Sequence, residues 1–515
     1  MSLRDDPVVR YFDGLPYALP PTGAYRFRAP RKLPRDFKYG TASSPGCFSE
    51  GTAICPQPPA RTPQNKALFN EDCLQLNIWI PTGPTPDEGW PVCVYFHGGF
   101  LQVGSANWTP ASLGPLLHES AFRAVIVFPA YSLNAFGFLV SEELVAEAKS
   151  NGEPSGNMGL WDQRAALEWV HENISCFGGN PSNVTAAGYS AGGFSAFQQL
   201  AHELYCLPVE QRIIKRITLL SNGPGVAPKS LADQQKQFNE FITRLGISMD
   251  NSAAEKLEIL RSLPYQKLID IQSEMKIHEF RLFDDDGAFI PKSLMSQVDS
   301  GDFGRKMKQY GITLLSGECK DEHTIYRTWR TPGDTYDAVY SRFCAEFPES
   351  AVRKLMDHYC GSGPEKKLPS NCNDWKDFFG QTYASLQVHA LQRGLHNALF
   401  KGSMIPGVDV LRYRFDKRLK CVDGTFPAAL GVTHSSDVPI WFWGANFPPG
   451  LTDGEKQSLR GWNQGFADFV KGIQVEWGPK HPKEMRRWRS DGETDVWTDD
   501  QWESGLEIWD LLNKA

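Results

Sequence analysis

No stretch of this chain is apolar for long enough to cross a membrane. The longest uninterrupted runs, such as Ala124 to Phe128, have the length of a β-strand, whereas a membrane helix needs about 20 apolar residues. Near the amino terminus, Arg4, Asp5 and Asp6 place charges where a secretion leader requires an apolar core, so no leader and a cytoplasmic location are expected. The carboxyl-terminal residues Asn513, Lys514 and Ala515 carry no retention, peroxisomal or prenylation signature. Basic blocks are missing too. With 53 Lys and Arg against 60 Asp and Glu, the formal net charge is −7, which offers no footprint for nucleic acid or an anionic membrane. The expected partner is a small neutral molecule, and the sequence is silent on oligomeric state. The 11 cysteines are odd in number and show no CxxC spacing, which argues against a zinc site and against a disulfide scaffold. No metal or other cofactor is therefore expected. Internal repeats and low-complexity tracts are absent. Asn107, Asn173 and Asn183 head glycosylation triplets that would matter only after secretion, and they read as accidental.

What is present begins with composition. At 41% hydrophobic and 22% charged residues, the chain has the balance of an ordinary globular protein with a sizeable core. Its 515 residues exceed the usual domain size, yet α/β enzymes can carry insertions within one body, so a single domain spanning 1–515 is expected.

The stretch around which the chain is organised is GYSAGG, Gly188 to Gly193. A β-prone run, Val184 to Ala187, precedes it and a helix-competent segment, Phe194 to Leu200, follows. Strand, tight turn and helix form the context in which GxSxG marks a nucleophile elbow. The glycines flanking Ser190 leave room for a strained turn, and the helix behind it directs N–H groups and a positive dipole end toward developing negative charge. The pattern alone does not identify a site. With 46 glycines in 515 residues, one accidental match has a probability of roughly 0.3.

The rest of the chain supplies the context. Glu71 to Pro81 alternates Leu74, Leu76, Ile78 and Ile80 as a strand does. Pro91 to Phe96 is a buried-type strand running into His97, Gly98, Gly99 and Phe100. Glycines at that point suit the second half of an oxyanion hole, because backbone N–H groups must approach the alkoxide closely. Ala124 to Phe128 is a further strand with Tyr131 to Phe138 as its exit loop, and Gly159 to Phe177 has helical spacing. Strand, helix, strand, elbow and helix in series predict a mostly parallel sheet covered on both faces. Residues 1–30 are expected to be ordered coil, as is the tryptophan-rich segment before the closing helix, Gln501 to Asn513. Residues 229–308 and 338–401 read as helical insertions forming a lid or pocket wall. Strand Gly311 to Leu315 empties into a segment with Asp321 and Glu322, and His434 lies in a late loop. Ser190, an acid near 322 and His434 thus occur in the chain order nucleophile, acid, base used by α/β-hydrolases.

At this point the chain resembles the type-B carboxylesterases, the cholinesterase-like branch of the α/β-hydrolase fold. The likeness runs through GLPYALPPTGAYRF, EDCLQLNIWIP, the HGG loop, GNMGLWDQRAALEWVHENISCFGGNPSNVTAAGYSAGG, DDDGAFIP, KDEH and GVTHSSDVPIWFWG. The resemblance implies Ser190 as nucleophile, Glu322 as acid with Asp321 its nearest rival, and His434 as general base. It implies the N–H groups of Gly99, Phe100 and Ala191 as oxyanion donors. Gly98, Phe100, Trp108 and Tyr189 are the expected pocket residues, and apolar or aromatic esters the expected substrates. Where the family usually has glutamate before the serine, this chain has Tyr189; Phe100 replaces a common third glycine, and His323 the glycine after the acid. Cys55 and Cys73 match a pair bridged in secreted relatives and are expected to stay thiols in a reducing compartment. Two further roles fit the same likeness: an intracellular biosynthetic lactonase, acyltransferase or cyclase using this triad, and a non-catalytic adhesion module.

Overall fold

Runs such as VCVYF and VIVFP, apolar at every position, can only be strands covered on both faces, and that requirement sets the architecture. The computed structural model describes residues 4–6, 9–41, 43–59 and 64–513; the terminal residues 1–3 and 514–515, where targeting signals would lie, fall outside the described residues. In chain order the strands are β1 (Arg4–Asp6), β2 (Val9–Pro16), β3 (Ala18–Leu19), β4 (Arg31–Lys32), β5 (Gln75–Pro81), β6 (Trp90–Phe96), β7 (Val125–Pro129), β8 (Gly179–Tyr189), β9 (Ile214–Leu220), β10 (Thr313–Cys319), β11 (Val410–Phe415), β12 (Glu484–Trp488) and β13 (Thr494–Thr498). Strands β3 and β4 pair with each other. The rest form one sheet in the order β1-β2-β5-β7-β6-β8-β9-β10-β11-β12-β13. Its middle, from β7 to β12, is parallel throughout, and antiparallel pairings occur only toward the two edges.

The two faces of the sheet separate by residue parity. Val92, Val94 and Phe96 of β6 pack into one apolar cluster with Leu160, Leu167 and Val170 of helix Met158–Asn173 and with Phe197 and Leu200 of helix Ala191–Cys206. Cys93 and Tyr95 point the other way, into a second cluster with Leu459, Trp462 and Phe466 of helix Asp453–Lys471. Alternate residues therefore face opposite helical layers, as the pleat requires. A third cluster lies among helices Tyr336–Cys344, Glu349–Cys360 and Trp375–Ala384, and takes in Tyr326 and Ile508 from outside residues 338–401. Residues 229–308 contain helices Leu231–Arg244, Ala253–Ser262 and Tyr265–Glu274.

Two expectations of coil are corrected. Residues Val9–Pro16 form β2, which pairs antiparallel with β5; its alternation is broken by a register shift between Phe12 and Leu15, where Gly14 adopts φ +64°. A bulge of this kind hides a strand from a period-two reading. The tryptophan-rich segment contains the hairpin β12–β13, whose exposed edge carries the Arg487–Asp495 ion pair. Asp499, just beyond it, is buried against Arg393 and Arg412, and Arg393 also pairs with the buried Glu318 of β10, which Arg414 reaches too. Removing one partner from a buried pair typically costs ~3–5 kcal/mol, so this network ties the last segment of the chain to the sheet. The asparagines of the glycosylation triplets are also used internally: Asn107, Asn173 and Asn183 each donate a side-chain N–H to a backbone carbonyl. Cys55 and Cys73 are buried free thiols. No described helix is long and apolar enough to cross a membrane.

Candidate active site

The chemistry-bearing residues gather at the carboxyl ends of adjacent parallel strands, where ligands bind in open α/β sheets. Ser190 follows β8 directly and holds φ 54°, ψ −128° at the head of the 16-residue helix Ala191–Cys206. Such a backbone is costly for a side-chain-bearing residue and persists only where surrounding packing imposes it. Here the packing is backbone on backbone. A Cβ on Gly192 would lie 1.9 Å from the Phe96 carbonyl oxygen, and one on Gly188 2.0 Å from the Gly192 carbonyl carbon. The loop after neighbouring β6 closes on the same point, since a Cβ on Gly98 would meet the Tyr189 carbonyl at 2.8 Å and the Ser190 Cβ at 3.0 Å. Gly99 (φ +118°) and Phe100 (φ 59°) turn this loop back. Their N–H groups donate to nothing among the described residues, leaving free donors beside Ser190. Ala191 adds the unpaired N–H of a helix's first residue.

Geometry separates the two candidate acids. Glu322 is fully buried; its Oε1 accepts from the Cys319 N–H at 2.8 Å and its Oε2 from His434 Nδ1 at 2.5 Å. Asp321 points elsewhere, accepting from the Val432 N–H at 2.9 Å. The imidazole of His434 lies between two tyrosine rings: Tyr189 and Tyr326, each with its centroid 4.8 Å away. The Tyr326 hydroxyl is 3.2 Å from both ring nitrogens, so it lies over the imidazole and not along either in-plane lone pair. His434 is not hydrogen-bonded to Ser190 in this structure. Tyr189, the residue where a glutamate is usual, bonds through its hydroxyl to Ser435 and so braces the histidine loop against the elbow.

Sequence reasoning missed Tyr326, although it stands four residues after Glu322 and helix His323–Tyr326 makes the intervening turn; that i, i+4 spacing was the available signal. The Phe100 ring stacks on Trp329 (4.2 Å, 8°) and meets Tyr326 and Tyr383 edge-on. Trp108, an expected pocket residue, instead packs against Tyr95, Phe128 and Phe442. His97 is held neutral: burial pushes it down to about 4, and its ring stacks on Tyr131 at 4.5 Å. A small cavity of about 70 Å³ opens beside Ala191 and is bounded by Leu101, Phe194, Val226, Lys229 and Arg281. The larger cavity, about 520 Å³, lies against Lys320, His323 and the closing helix without touching Ser190.

Asp437, three residues after His434, was also missed. It accepts hydrogen bonds from the hydroxyls of Ser221 and Tyr413, and burial, aided by the nearby Glu322 charge, pushes its carboxyl up to about 6. An acid raised above its ordinary 3.8 costs stability as it ionises, so the loss grows as pH rises from about 4 to about 6 and persists above. Asparagine can accept both hydroxyls without ionising. The stability of Asp437→Asn relative to wild type is expected to rise by ~3 kcal/mol across that window. Urea unfolding at pH 4 and pH 7.5 measures this, and an equal difference at the two pH values would contradict it.

A largely parallel sheet, helices on both faces and a strained serine turn after a central strand define an α/β-hydrolase. Residues 1–495 match the model of the carboxylesterase family, and the chain belongs to that family, in its type-B branch; it is by class a carboxylic ester hydrolase. It is 56% identical over 515 residues to a carboxylic ester hydrolase of Gibberella moniliformis, covering 100% of this chain and 94% of the relative. It is 36% identical to an uncharacterized esterase/lipase of Schizosaccharomyces pombe, covering 96% and 91% of the two chains. The crystal structure of Aspergillus niger EstA superposes with a TM-score of 0.75 at 21% identity over 99% of this chain and 96% of that one, a likeness of fold.

Proposed function

We propose that the protein hydrolyses small carboxylic esters through an acyl-enzyme on Ser190, with His434 as general base and then acid and Glu322 as the orienting carboxylate. The observation that carries this reading is the Glu322 Oε2 to His434 Nδ1 contact of 2.5 Å, with the imidazole held against Tyr189, the residue next to Ser190. His434 takes the serine proton through Nε2, and the alkoxide attacks the ester carbonyl. The oxyanion is met by the N–H groups of Gly99, Phe100 and Ala191. His434 returns the proton to the leaving alcohol, and water repeats the cycle on the acyl-enzyme. In unliganded sites the nucleophile–base hydrogen bond often forms only with substrate bound. The aromatic wall of Phe100, Trp329 and Tyr383 supports an apolar or aromatic group on the ester.

A phosphorylating ester such as diethyl p-nitrophenyl phosphate tests the nucleophile. One equivalent of diethylphosphoryl adduct, located on Ser190 by peptide mass spectrometry, is the expected result. Adduct on another residue, or none with active enzyme, would overturn the assignment.

A further inference from the structure

Around the cavity beside Ala191 lies a set of buried and half-buried charges that the ester chemistry does not use. Lys229 is 4% exposed, and its ammonium donates to a single carbonyl, that of Ala345 at 2.9 Å. It forms no ion pair among the described residues. Arg281, on the same cavity, donates to the Phe100 carbonyl and pairs with Glu346. Arg330 and Arg342 complete the group behind it, and Glu279 and Glu346 are its two carboxylates. His278 is neutral, since burial pushes it down to about 3. Four cations thus face two anions. Asp233, also within electrostatic reach of Lys229, is half-buried and paired with the exposed Lys236.

An uncompensated buried ammonium is expensive unless something pairs with it. Burial pushes Lys229 down to about 8, with Arg281 acting in the same direction and Glu346, Asp233 and Glu279 opposing; it is still protonated at neutral pH. The neighbouring Cys344 is held as a thiol, its own value pushed up to about 11 by burial. Leu101, Phe194, Val226 and Phe347 give the cavity apolar walls, and its other polar groups are Gln387 and the Glu346 carboxylate, which is already engaged by Arg281, Arg342 and the Tyr383 hydroxyl. Two cations, Lys229 and Arg281, on a small cavity that also borders Ala191 suit a short arm ending in an anion.

Resting on the serine-esterase reading above, we propose that the preferred substrates are esters whose short arm in this cavity carries a carboxylate, received by Lys229 with Arg281 beside it. The whole-chain charge of −7, from which a neutral substrate is expected, does not speak to this local surplus. The cavity's volume of about 70 Å³ admits a few atoms only, which favours an arm of two or three carbons. The carboxylate could belong to the acyl part or to the alcohol part, and substrate pairs separate the two.

The test compares kcat/KM for p-nitrophenyl hydrogen succinate with p-nitrophenyl butyrate, and for carboxymethyl butyrate with ethyl butyrate, at pH 7. The carboxylate ester is expected to be preferred in one pair by about tenfold or more, the range of a charge-assisted hydrogen bond. In Lys229→Met that ratio is expected to fall toward one, and in Lys229→Arg to be largely kept. Preference for the neutral ester in both pairs by the wild-type enzyme would overturn the proposal, and so would an unchanged ratio in Lys229→Met. The wild-type ratios stand even where the methionine variant fails to fold. Turnover of neutral esters without an anion preference sinks this inference alone, whereas loss of phosphoryl labelling at Ser190 sinks the reading beneath it.

Discussion

Replacing Ser190 with alanine is expected to lower ester turnover by about 10⁴ to 10⁶-fold, because nucleophile, base and orienting acid act as one unit. Residual activity should come from the donors at Gly99, Phe100 and Ala191, which the substitution leaves in place. The turn itself should survive. The contacts that impose it are between backbones, Gly192 against Phe96 and Gly188 against Gly192, and they involve no serine hydroxyl. Circular dichroism and thermal unfolding should therefore match wild type while kcat for p-nitrophenyl butyrate collapses. Turnover retained within tenfold by the purified variant would remove Ser190 from the mechanism.

Glu322→Gln is expected to reduce kcat by about 10³ to 10⁴, for a reason specific to this carboxylate. Both its oxygens accept: one from the Cys319 N–H, the other from His434 Nδ1–H. Glutamine has one acceptor and one NH₂ group, so one of these two donors must face another donor. If the amide nitrogen faces His434, the ring is driven to the tautomer with Nδ1 bare and Nε2 protonated, which cannot take the serine proton. A carboxylate-to-amide change beside a catalytic histidine acts in this way on an otherwise intact site. Asp321→Asn supplies the contrast, because Asp321 accepts from the Val432 N–H and not from the imidazole; its kcat should stay within a few-fold of wild type. Pre-steady-state acylation rates for the two variants check the pair. Equal losses at 321 and 322 would contradict the division of roles.

Both expectations depend on residues that the sequence made visible through local patterning. The elbow was legible because the close approach of Gly192 to Phe96 permits no Cβ, so the constraint is written in the residues on either side of Ser190. The strand β6 and the Gly98–Gly99 turn were legible for the same kind of reason, an apolar run ending in glycines. The boundary of β10 was less so. It runs on through Ser316, Gly317, Glu318 and Cys319, a stretch with a hydroxyl, a glycine and a charge that reads as loop until Arg393 and Arg414 are seen to neutralise Glu318. Strand β2 was hidden by its bulge, and β12 and β13 by their place at the sheet edge, where one face is charged.

From the residues alone came the fold class, the family resemblance and the chain order of serine, acid and histidine, since each rests on spacing along the backbone or on what a turn can sterically admit. Only the tertiary structure decided which carboxylate reaches His434, that Tyr189 and Tyr326 pack against its ring, that Trp108 packs against Tyr95, Phe128 and Phe442, and that the buried Lys229 ammonium meets a backbone carbonyl and no carboxylate directly. These are meetings of side chains separated by up to several hundred residues. Hydrogen bonding, stacking and desolvation act across a few ångströms of space, and distance along the chain does not encode them.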